Sequence, residues 1–152
     1  MAEDIRVNEV SLREITRETV RTVCNLHVSE TQKQFVAPNA VSIAEAHFTK
    51  EAWFRAIYAG EVPVGFVMLW EHPVKGRYHL WRFMIDENSQ GRGYGRKALN
   101  LIIQRVRQNP KAKELRLTYC KGDGSPQQFY EKMGFADTGE TVDGEYEMKL
   151  AL

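Results

Sequence analysis

The sequence has little cysteine, little proline and no excess of charge of either sign. Its two cysteines, Cys24 and Cys120, are too few for a disulfide framework, so we expect a protein of the reducing cytoplasm. Lys and Arg number 21 against 20 for Asp and Glu, which gives a net charge of +1. This balance argues against a protein that mainly grips nucleic acid and against a polybasic membrane-surface protein.

A long hydrophobic run and a targeting pattern are also lacking. The most apolar stretch, residues 62–70, is far shorter than the roughly 20 residues that a membrane-spanning helix needs. The chain starts Met-Ala-Glu-Asp, which is acidic and unlike the basic and apolar start of a signal peptide. We therefore expect neither a membrane partner nor secretion.

The residues that are present describe an ordinary globular chain. Of the 152 residues, 43% are hydrophobic and 27% are charged. No repeat, low-complexity tract or linker divides them, so we predict one domain over residues 1–152.

Hydrophobic periodicity predicts a sheet of six or seven strands flanked by about four helices. Strands are predicted at 5–10, 53–58, 64–70, 78–85, 114–119, 135–141 and 145–150. Helices are predicted over 16–27, from 42 onward, over 96–108 and over 125–133. Turn residues join the three middle strands in series, so we expect a mostly antiparallel sheet and an α+β (mixed α/β) fold.

Local signals place some of the element ends. The Ser-x-x-Glu spacing that begins at Ser42 predicts a capping box, with Ser42 at the start of the second helix. Ser125 is predicted to cap the last helix, whose first residue is then Pro126. Asp143-Gly144 predicts the turn of a final hairpin.

The most informative segment is Gln90-Gly91-Arg92-Gly93-Tyr94-Gly95-Arg96-Lys97, which lies between a predicted strand and a predicted helix. A strand, a glycine-rich turn and a helix N-terminus form an anion site, because backbone N–H groups and the helix dipole point at the ligand. Glycine is needed where a side chain would keep a phosphate away from the backbone. The segment therefore predicts binding of a phosphorylated ligand.

Two common phosphate motifs do not fit this segment. The dinucleotide fingerprint needs a third glycine at position 96, and the P-loop needs Gly-Lys at positions 96 and 97. Position 96 is arginine. The alternative to a phosphate site is a plain glycine turn ahead of a basic helix.

Three segments, in order, resemble the GNAT N-acetyltransferases. Gln90-x-x-Gly93-x-Gly95 resembles the acyl-CoA pyrophosphate loop of that family, and residues 80–86 resemble its pantetheine-lining strand. Residues 129–135, Phe-Tyr-Glu-Lys-Met-Gly-Phe, resemble its later helix and strand start. The agreement covers about residues 55–150. The resemblance implies a GNAT fold and an enzyme that transfers an acetyl group from acetyl-CoA to an amine without a metal ion.

The resemblance also implies site residues. The strand and the loop would hold pantetheine and pyrophosphate through Phe83, Met84, Ile85, Gln90, Gly91, Arg92, Gly93, Tyr94, Gly95 and Arg96. Tyr130 would protonate the departing CoA thiolate, a role that suits tyrosine because its reference pKa of ~10 keeps it protonated at pH 7. The alternative for Tyr130 is an aromatic core residue.

A closer resemblance, over nearly the whole chain, is to bacterial spermine/spermidine acetyltransferases. It rests on residues 26–32, on Gly76-Arg77 and on Arg82-Phe83. It implies a polyamine acceptor, with Glu30 and Trp81 in the substrate site. Trp81 either offers a cation–π face to an ammonium or packs in the core. Where many family members have an asparagine that touches the cofactor, this chain offers Asp123 or Ser125.

The acceptor amine must lose a proton before it attacks. A primary amine has a pKa of roughly 10.4, so neutrality at pH 7 costs about 4.6 kcal/mol. Candidate carboxylates for that proton are Glu30, Glu71 and Asp86, each of which is alternatively a solvated or turn-capping residue. A water relay or selection of the neutral amine stays open.

Other functions stay open beside polyamine acetylation. The acceptor can be an antibiotic, an amino acid or a protein N-terminus, or the chain can be an acyl-CoA sensor without catalysis. A nucleic-acid-binding module is a distant third. A homodimer through the last strands is expected from similar proteins. Cys24-x-x-His27 is only half of a zinc pattern, so no metal site is predicted.

Overall fold

The computed structural model describes residues 9–152, which form a seven-stranded sheet with strand order β1-β2-β3-β4-β5-β7-β6. The strands are β1 (Val10–Arg13), β2 (Ala52–Ala59), β3 (Val62–His72), β4 (Arg77–Ile85), β5 (Glu114–Tyr119), β6 (Ala136–Val142) and β7 (Glu145–Ala151). The helices are α1 (Val20–Asn25), α2 (Asn39–His47), α3 (Tyr94–Arg107) and α4 (Gln127–Lys132).

The strand directions confirm the predicted mixed fold. Neighbouring strands run antiparallel, except that β4 and β5 run parallel. The helix α3 makes the crossover that a parallel pair requires. The predicted strand at 5–10 falls mostly outside the described residues, and β1 begins at its last residue, Val10.

The predicted capping box at Ser42 is wrong, because α2 begins one turn earlier, at Asn39. Ser42 lies inside the helix, where both its backbone N–H and its hydroxyl donate to the carbonyl of Pro38. The buried side-chain amide of Asn39 donates to the carbonyl of Val23 at 2.9 Å. This contact fixes the start of α2 against α1. Because it joins residues 16 positions apart, no local sequence pattern predicts it. The helix α1 is also shorter than predicted and ends before His27.

Two hydrophobic clusters lie on opposite faces of the sheet. The first cluster joins α3 and α4 to one face, and the second joins α1 and α2 to the other. The residues of α3 that enter the first cluster are Tyr94, Ala98, Leu99, Ile102, Ile103 and Val106. Leu101, which lies next to Ile102 on the same helix, is only half-buried.

The last hairpin turns as its sequence predicts. Asp143 and Gly144 both have positive φ, 50° and 83°, the backbone that a two-residue primed turn requires. The strand β7 then inserts between β6 and β5. The hairpin thereby places the start of β7 beside the end of β5.

Candidate active site

The strands β4 and β5 separate soon after they meet. They pair only through His79 with Arg116 and Leu80 with Leu117. On the other side of β4, Leu80 pairs with Leu69 and Arg82 with Met68, so Trp81 is an extra residue that forms a β-bulge. Beyond the bulge, β4 pairs with β3 on one side only. The sheet therefore opens into a wedge whose wall is the backbone of residues 82–85.

The glycine loop closes one end of this wedge. Gly91 and Gly93 have φ of 77° and 82°, and a Cβ built on either residue meets nothing within 4 Å. Gly93 is the N-terminal cap of α3, whose first N–H groups have no acceptor inside the helix. The open space in front of these amides is therefore suited to an anion, which the helix dipole also favours.

The side chain of Gln90 braces the loop. Its Nε2 donates to the carbonyl of Ile85 and to Oε1 of Gln32, both at 2.9 Å. These bonds tie the loop to the end of β4 and to the segment that follows α1. The contact with Gln32 joins residues 58 positions apart, so no local sequence pattern signals it.

The three segments that the sequence singled out meet in one place. The rings of Phe83 on β4 and Phe129 on α4 stack with their centroids 5.9 Å apart. A Cβ on Gly95 would lie 3.5 Å from both Phe129 and Ile85. Gly95 thus lets α3 pack closely against β4 and α4. Phe129 is a wall residue of the cleft, a role that the sequence of the 129–135 segment did not indicate.

Tyr130 lies on α4 at the inner wall of the wedge, with only 6% of its surface exposed. Its ring contacts Phe129 and Phe135 at centroid distances of 5.5 and 5.7 Å. Burial raises the pKa of its phenol above the ordinary value, so the hydroxyl stays protonated at neutral pH. The neighbouring Tyr119 also has a raised pKa, about 12, first because it is buried and then because it donates to Asp137 at 2.7 Å.

The wedge is the mouth of a cleft of about 1680 Å³. Small-molecule sites are commonly roughly 300–1,000 Å³, so this volume accommodates two substrates together. The predicted donor-site residues that line it are Phe83, Met84, Ile85, Gln90, Gly91, Gly93, Tyr94, Gly95 and Arg96. The exposed Arg92 does not line it. Tyr94 faces the first cluster, so its backbone is the part that the loop presents.

The two predicted acceptor-site residues are placed differently. Trp81 lines the cleft at the bulge, where it is half-buried against the second cluster and 5.4 Å from the guanidinium carbon of Arg82. Glu30 lies outside the cleft lining, and its side chain is 87% exposed. Glu30 accepts a hydrogen bond from Lys33, and this bond lowers the pKa of Glu30.

The other candidate carboxylates are also engaged away from the cleft. Glu71 accepts two hydrogen bonds from Arg105, at 2.9 and 3.0 Å. Asp86 accepts from the backbone N–H groups of His27 and Asn88 and so fixes the turn after β4. The carboxylates that do line the cleft are Glu114, Asp143 and Glu145. They reach it through the pairing of β5 with β7, which the sequence pattern did not reveal.

Ser125, and not Asp123, lines the cleft between β5 and α4. Its hydroxyl donates to the carbonyl of Cys120 and accepts from the N–H of Gln127, at 2.5 and 3.3 Å. The predicted cap is wrong by one residue, because the helix begins at Gln127, Pro126 holds the N-terminal cap position and Ser125 lies just outside the helix.

Residues 9–152 contain neither a helix suited to span a membrane nor a cluster of metal ligands. None of their helices is long and apolar enough to cross a bilayer. Their His, Cys, Asp and Glu side chains form no group of three or more that could hold a metal ion.

The site combines a glycine loop at a helix start, a splayed pair of parallel strands and a buried tyrosine. A match to a known protein family agrees with this arrangement. Residues 18–135 match the sequence profile of the acetyltransferase (GNAT) family. The chain belongs to the GNAT family. This membership confirms the fold and the enzyme class, an acetyltransferase, that the sequence predicts.

Similar proteins support the assignment. A spermine/spermidine N(1)-acetyltransferase of Bacillus subtilis (strain 168) is 29% identical over 140 residues, which cover 86% of this chain and 90% of that protein. An acetyltransferase structure from Thermus thermophilus has a TM-score of 0.77 at 17% identity, covering 96% of this chain and 99% of that one. The PaiA N-acetyltransferase of Thermoplasma acidophilum, in complex with coenzyme A, has a TM-score of 0.71 at 15% identity, covering 95% and 99%. Both structures share the fold of this GNAT domain.

Proposed function

We propose that this GNAT enzyme transfers the acetyl group of acetyl-CoA to a primary amine of a small molecule, with polyamines as the leading acceptors. The observation that carries the proposal is the wedge between β4 and β5, which runs from an open anion site to a buried tyrosine. The similarity to the spermine/spermidine N(1)-acetyltransferase of Bacillus subtilis supports a polyamine acceptor.

The donor would lie along the wedge. Its pyrophosphate fits the amides that follow Gly91 and Gly93, where the absence of a Cβ leaves room for the anion. Arg96, which lines the cleft, and the exposed Arg92 in the same loop add positive charge. The amide groups of its pantetheine arm fit the free edge of β4 at residues 82–85, where they would take the place of the missing strand partner. The same edge can polarise the thioester carbonyl.

The acetyl group would move by direct attack. The amine nitrogen forms a bond to the thioester carbonyl carbon, and the bond from that carbon to sulfur breaks. Tyr130 donates its proton to the departing thiolate, and the phenolate regains a proton that the new amide nitrogen loses. One ammonium ion and one thioester thus give one amide, one thiol and one released proton.

The acceptor would approach from the face of the sheet that carries Trp81. That face continues over β5 and β7, where Glu114 and Glu145 line the cleft. Carboxylates at this position attract an ammonium group, and the indole of Trp81 offers it a π face. A chain with several ammonium groups, such as spermidine, can meet both kinds of contact.

A second acceptor class is an amine that carries an acidic group, such as an amino acid or a peptide N-terminus. It is favoured by a row of basic side chains at the far end of the cleft, which are Lys75, Arg77, Lys111 and Lys113. Such a row attracts a carboxylate and repels the distal end of a polyamine.

A panel of amines, assayed for acetyl-CoA-dependent thiol release, decides between these functions. We expect release with spermidine and spermine and little with amino acids, acidic peptides or aminoglycosides. Release with the acidic amines alone would transfer the assignment to the second class. Tight binding of CoA by calorimetry, with no release from any amine, would show a sensor instead of an enzyme.

The proton-donor role of Tyr130 is tested by Tyr130→Phe. We expect kcat to fall about 100-fold, with the KM of acetyl-CoA little changed, because only the transition state uses the hydroxyl. Tyr119→Phe is the matched control, since its hydroxyl donates to Asp137 and we expect kcat within about threefold of the wild type. Full turnover by Tyr130→Phe would refute the assignment.

A further inference from the structure

His79 occupies the point where the sheet opens. It is one of the two residues through which β4 pairs with β5, and it comes two positions before the bulge residue Trp81. Its ring is half-buried, and it is the one histidine among residues 9–152 that lines the cleft. An imidazole at this position meets whatever reaches the apex of the wedge.

The side chain of His79 points to the acceptor face of the sheet. Its neighbours Tyr78 and Leu80 enter the first cluster, together with Tyr130, while successive side chains of a strand point to opposite faces. His79 therefore lies across the sheet from Tyr130, on the face that carries Trp81. A nucleophile from one face and a proton donor for the leaving group on the other match direct transfer through the wedge.

Charged and titratable groups share this face with His79 on every neighbouring strand. They are His72 on β3, Arg77 on β4, Glu114 and Arg116 on β5, and Glu145, Glu147 and Lys149 on β7. The carboxylates Glu145 and Glu147 favour the charged imidazole, and Arg116 opposes it. Burial outweighs them and lowers the pKa of His79 below its ordinary value of about 6.5, so the ring is neutral at pH 7.

The carboxylates of this face already have partners. Glu145 accepts from the hydroxyl of Thr118 at 2.6 Å. Glu114 and Glu147 both accept from Arg116, at 2.6 and 2.9 Å. These bonds hold the carboxylates in place, where their charge attracts an ammonium. A neutral imidazole is better matched to proton transfer near pH 7.

We propose that His79 is the general base that accepts the proton of the acceptor ammonium at the apex of the wedge. This assignment rests on the acetyltransferase function proposed above. The imidazole first takes one N–H proton of the ammonium, and the freed lone pair of the amine then attacks the thioester carbonyl carbon, from which the C–S bond breaks. The imidazolium releases its proton to water after the amide has formed. Tyr130 independently supplies the proton of the thiol.

The test compares His79→Gln with His72→Gln. His72 ends the neighbouring strand and does not line the cleft, so it is the matched loss of a histidine from the same sheet. At pH 7, with the best amine of the panel, we expect kcat/KM for the amine to fall about 100-fold in His79→Gln and less than about threefold in His72→Gln. CoA affinity, measured by calorimetry, should stay within about twofold of the wild type in both variants.

The pH profile separates a base from a structural residue. The wild type should reach its plateau after an acid limb with an apparent pKa below about 6.5, because His79 is neutral above it. His79→Gln can use only the free amine, so its rate should rise about tenfold per pH unit and its deficit should shrink towards pH 9. A deficit of constant size across pH would show a structural role and overturn the proposal.

Other outcomes also test whether His79 is the general base. An acid limb that His79→Gln keeps at the same pH as the wild type would assign the base to another group and refute His79. If the wild type is active and kcat/KM is unchanged in His79→Gln, the base role of His79 is refuted while the proposed function stands. If the wild type released no thiol with any amine, the proposed function and the role of His79 would fall together.

Discussion

Gly93 and Gly139 show that one backbone conformation can have two different purposes. Their φ angles are 82° and 83°, and a Cβ at either residue would meet nothing within 4 Å. Gly139 lies in β6, at an irregularity in its pairing with β7. Gly93 caps α3 at the anion site. A side chain would therefore strain the backbone equally at both positions, but only Gly93 lies where a ligand would approach.

We expect Gly93→Ala to weaken CoA binding at least about tenfold, since the new methyl group would occupy the space in front of the loop amides. Both variants should lose about 1–2 kcal/mol of unfolding free energy, because alanine at positive φ is strained. Gly139→Ala should nevertheless bind CoA normally. Isothermal calorimetry measures the affinity, and urea unfolding measures the stability. Equal losses of affinity in the two variants would mean that strain, and not the blocked space, is responsible.

At the scale of elements, the pair of Glu71 and Arg105 connects β3 to α3. Both hydrogen bonds from Arg105 to the Glu71 carboxylate are short, and the Glu71 side chain is only 11% exposed. The guanidinium of Arg105 also lies 4.0 Å from the ring centre of Trp53, on β2. One arginine thus holds two strands and the helix that begins at the glycine loop in a fixed relation.

Glu71→Ala should lower the free energy of unfolding by about 2 kcal/mol, because it removes the buried, bidentate carboxylate partner of the partly exposed Arg105. Glu61→Ala is the control, since Glu61 pairs with Arg13 on the surface with 86% of its side chain exposed. That change should cost less than about 1 kcal/mol. Chemical denaturation measures the free energy of unfolding of both variants. Similar losses would contradict the claim that Glu71 stabilises the fold more than a surface carboxylate does.

The same scale shows what the sequence can and cannot predict. Elements with local periodicity, such as β5 at Glu114–Tyr119 and the hairpin at Asp143-Gly144, were predicted at or near their true positions. The start of α2 was missed because the Asn39 side chain bonds to Val23, a contact across 16 residues. The cleft carboxylates were missed for a similar reason. Glu145 reaches the cleft only because β7 pairs with β5, and no local pattern specifies that pairing.

At the scale of the whole molecule, the sheet consists of two parts with a weak join. The strands β1–β4 form one part and β5, β7 and β6 the other, and only two residue pairs connect them. The rest of the connection comes from the first cluster, which packs α3 and α4 across the join. A ligand seated in the wedge would touch both parts, so its binding should stabilise the molecule as a whole.

We therefore expect CoA at about 100 times its Kd to add about 2.7 kcal/mol of stability, which for a chain of this size raises Tm by roughly 5–10 °C. Hydrogen exchange locates the effect. The N–H groups of residues 82–85 that point away from β3 should become protected, because the ligand replaces the missing partner of β4, while those of the β2–β3 hairpin should not change. Gly93→Ala at the same CoA concentration is the control and should show a smaller shift. A rise in Tm without protection of 82–85 would place the ligand outside the wedge, since a ligand bound there cannot leave the free edge of β4 open to solvent.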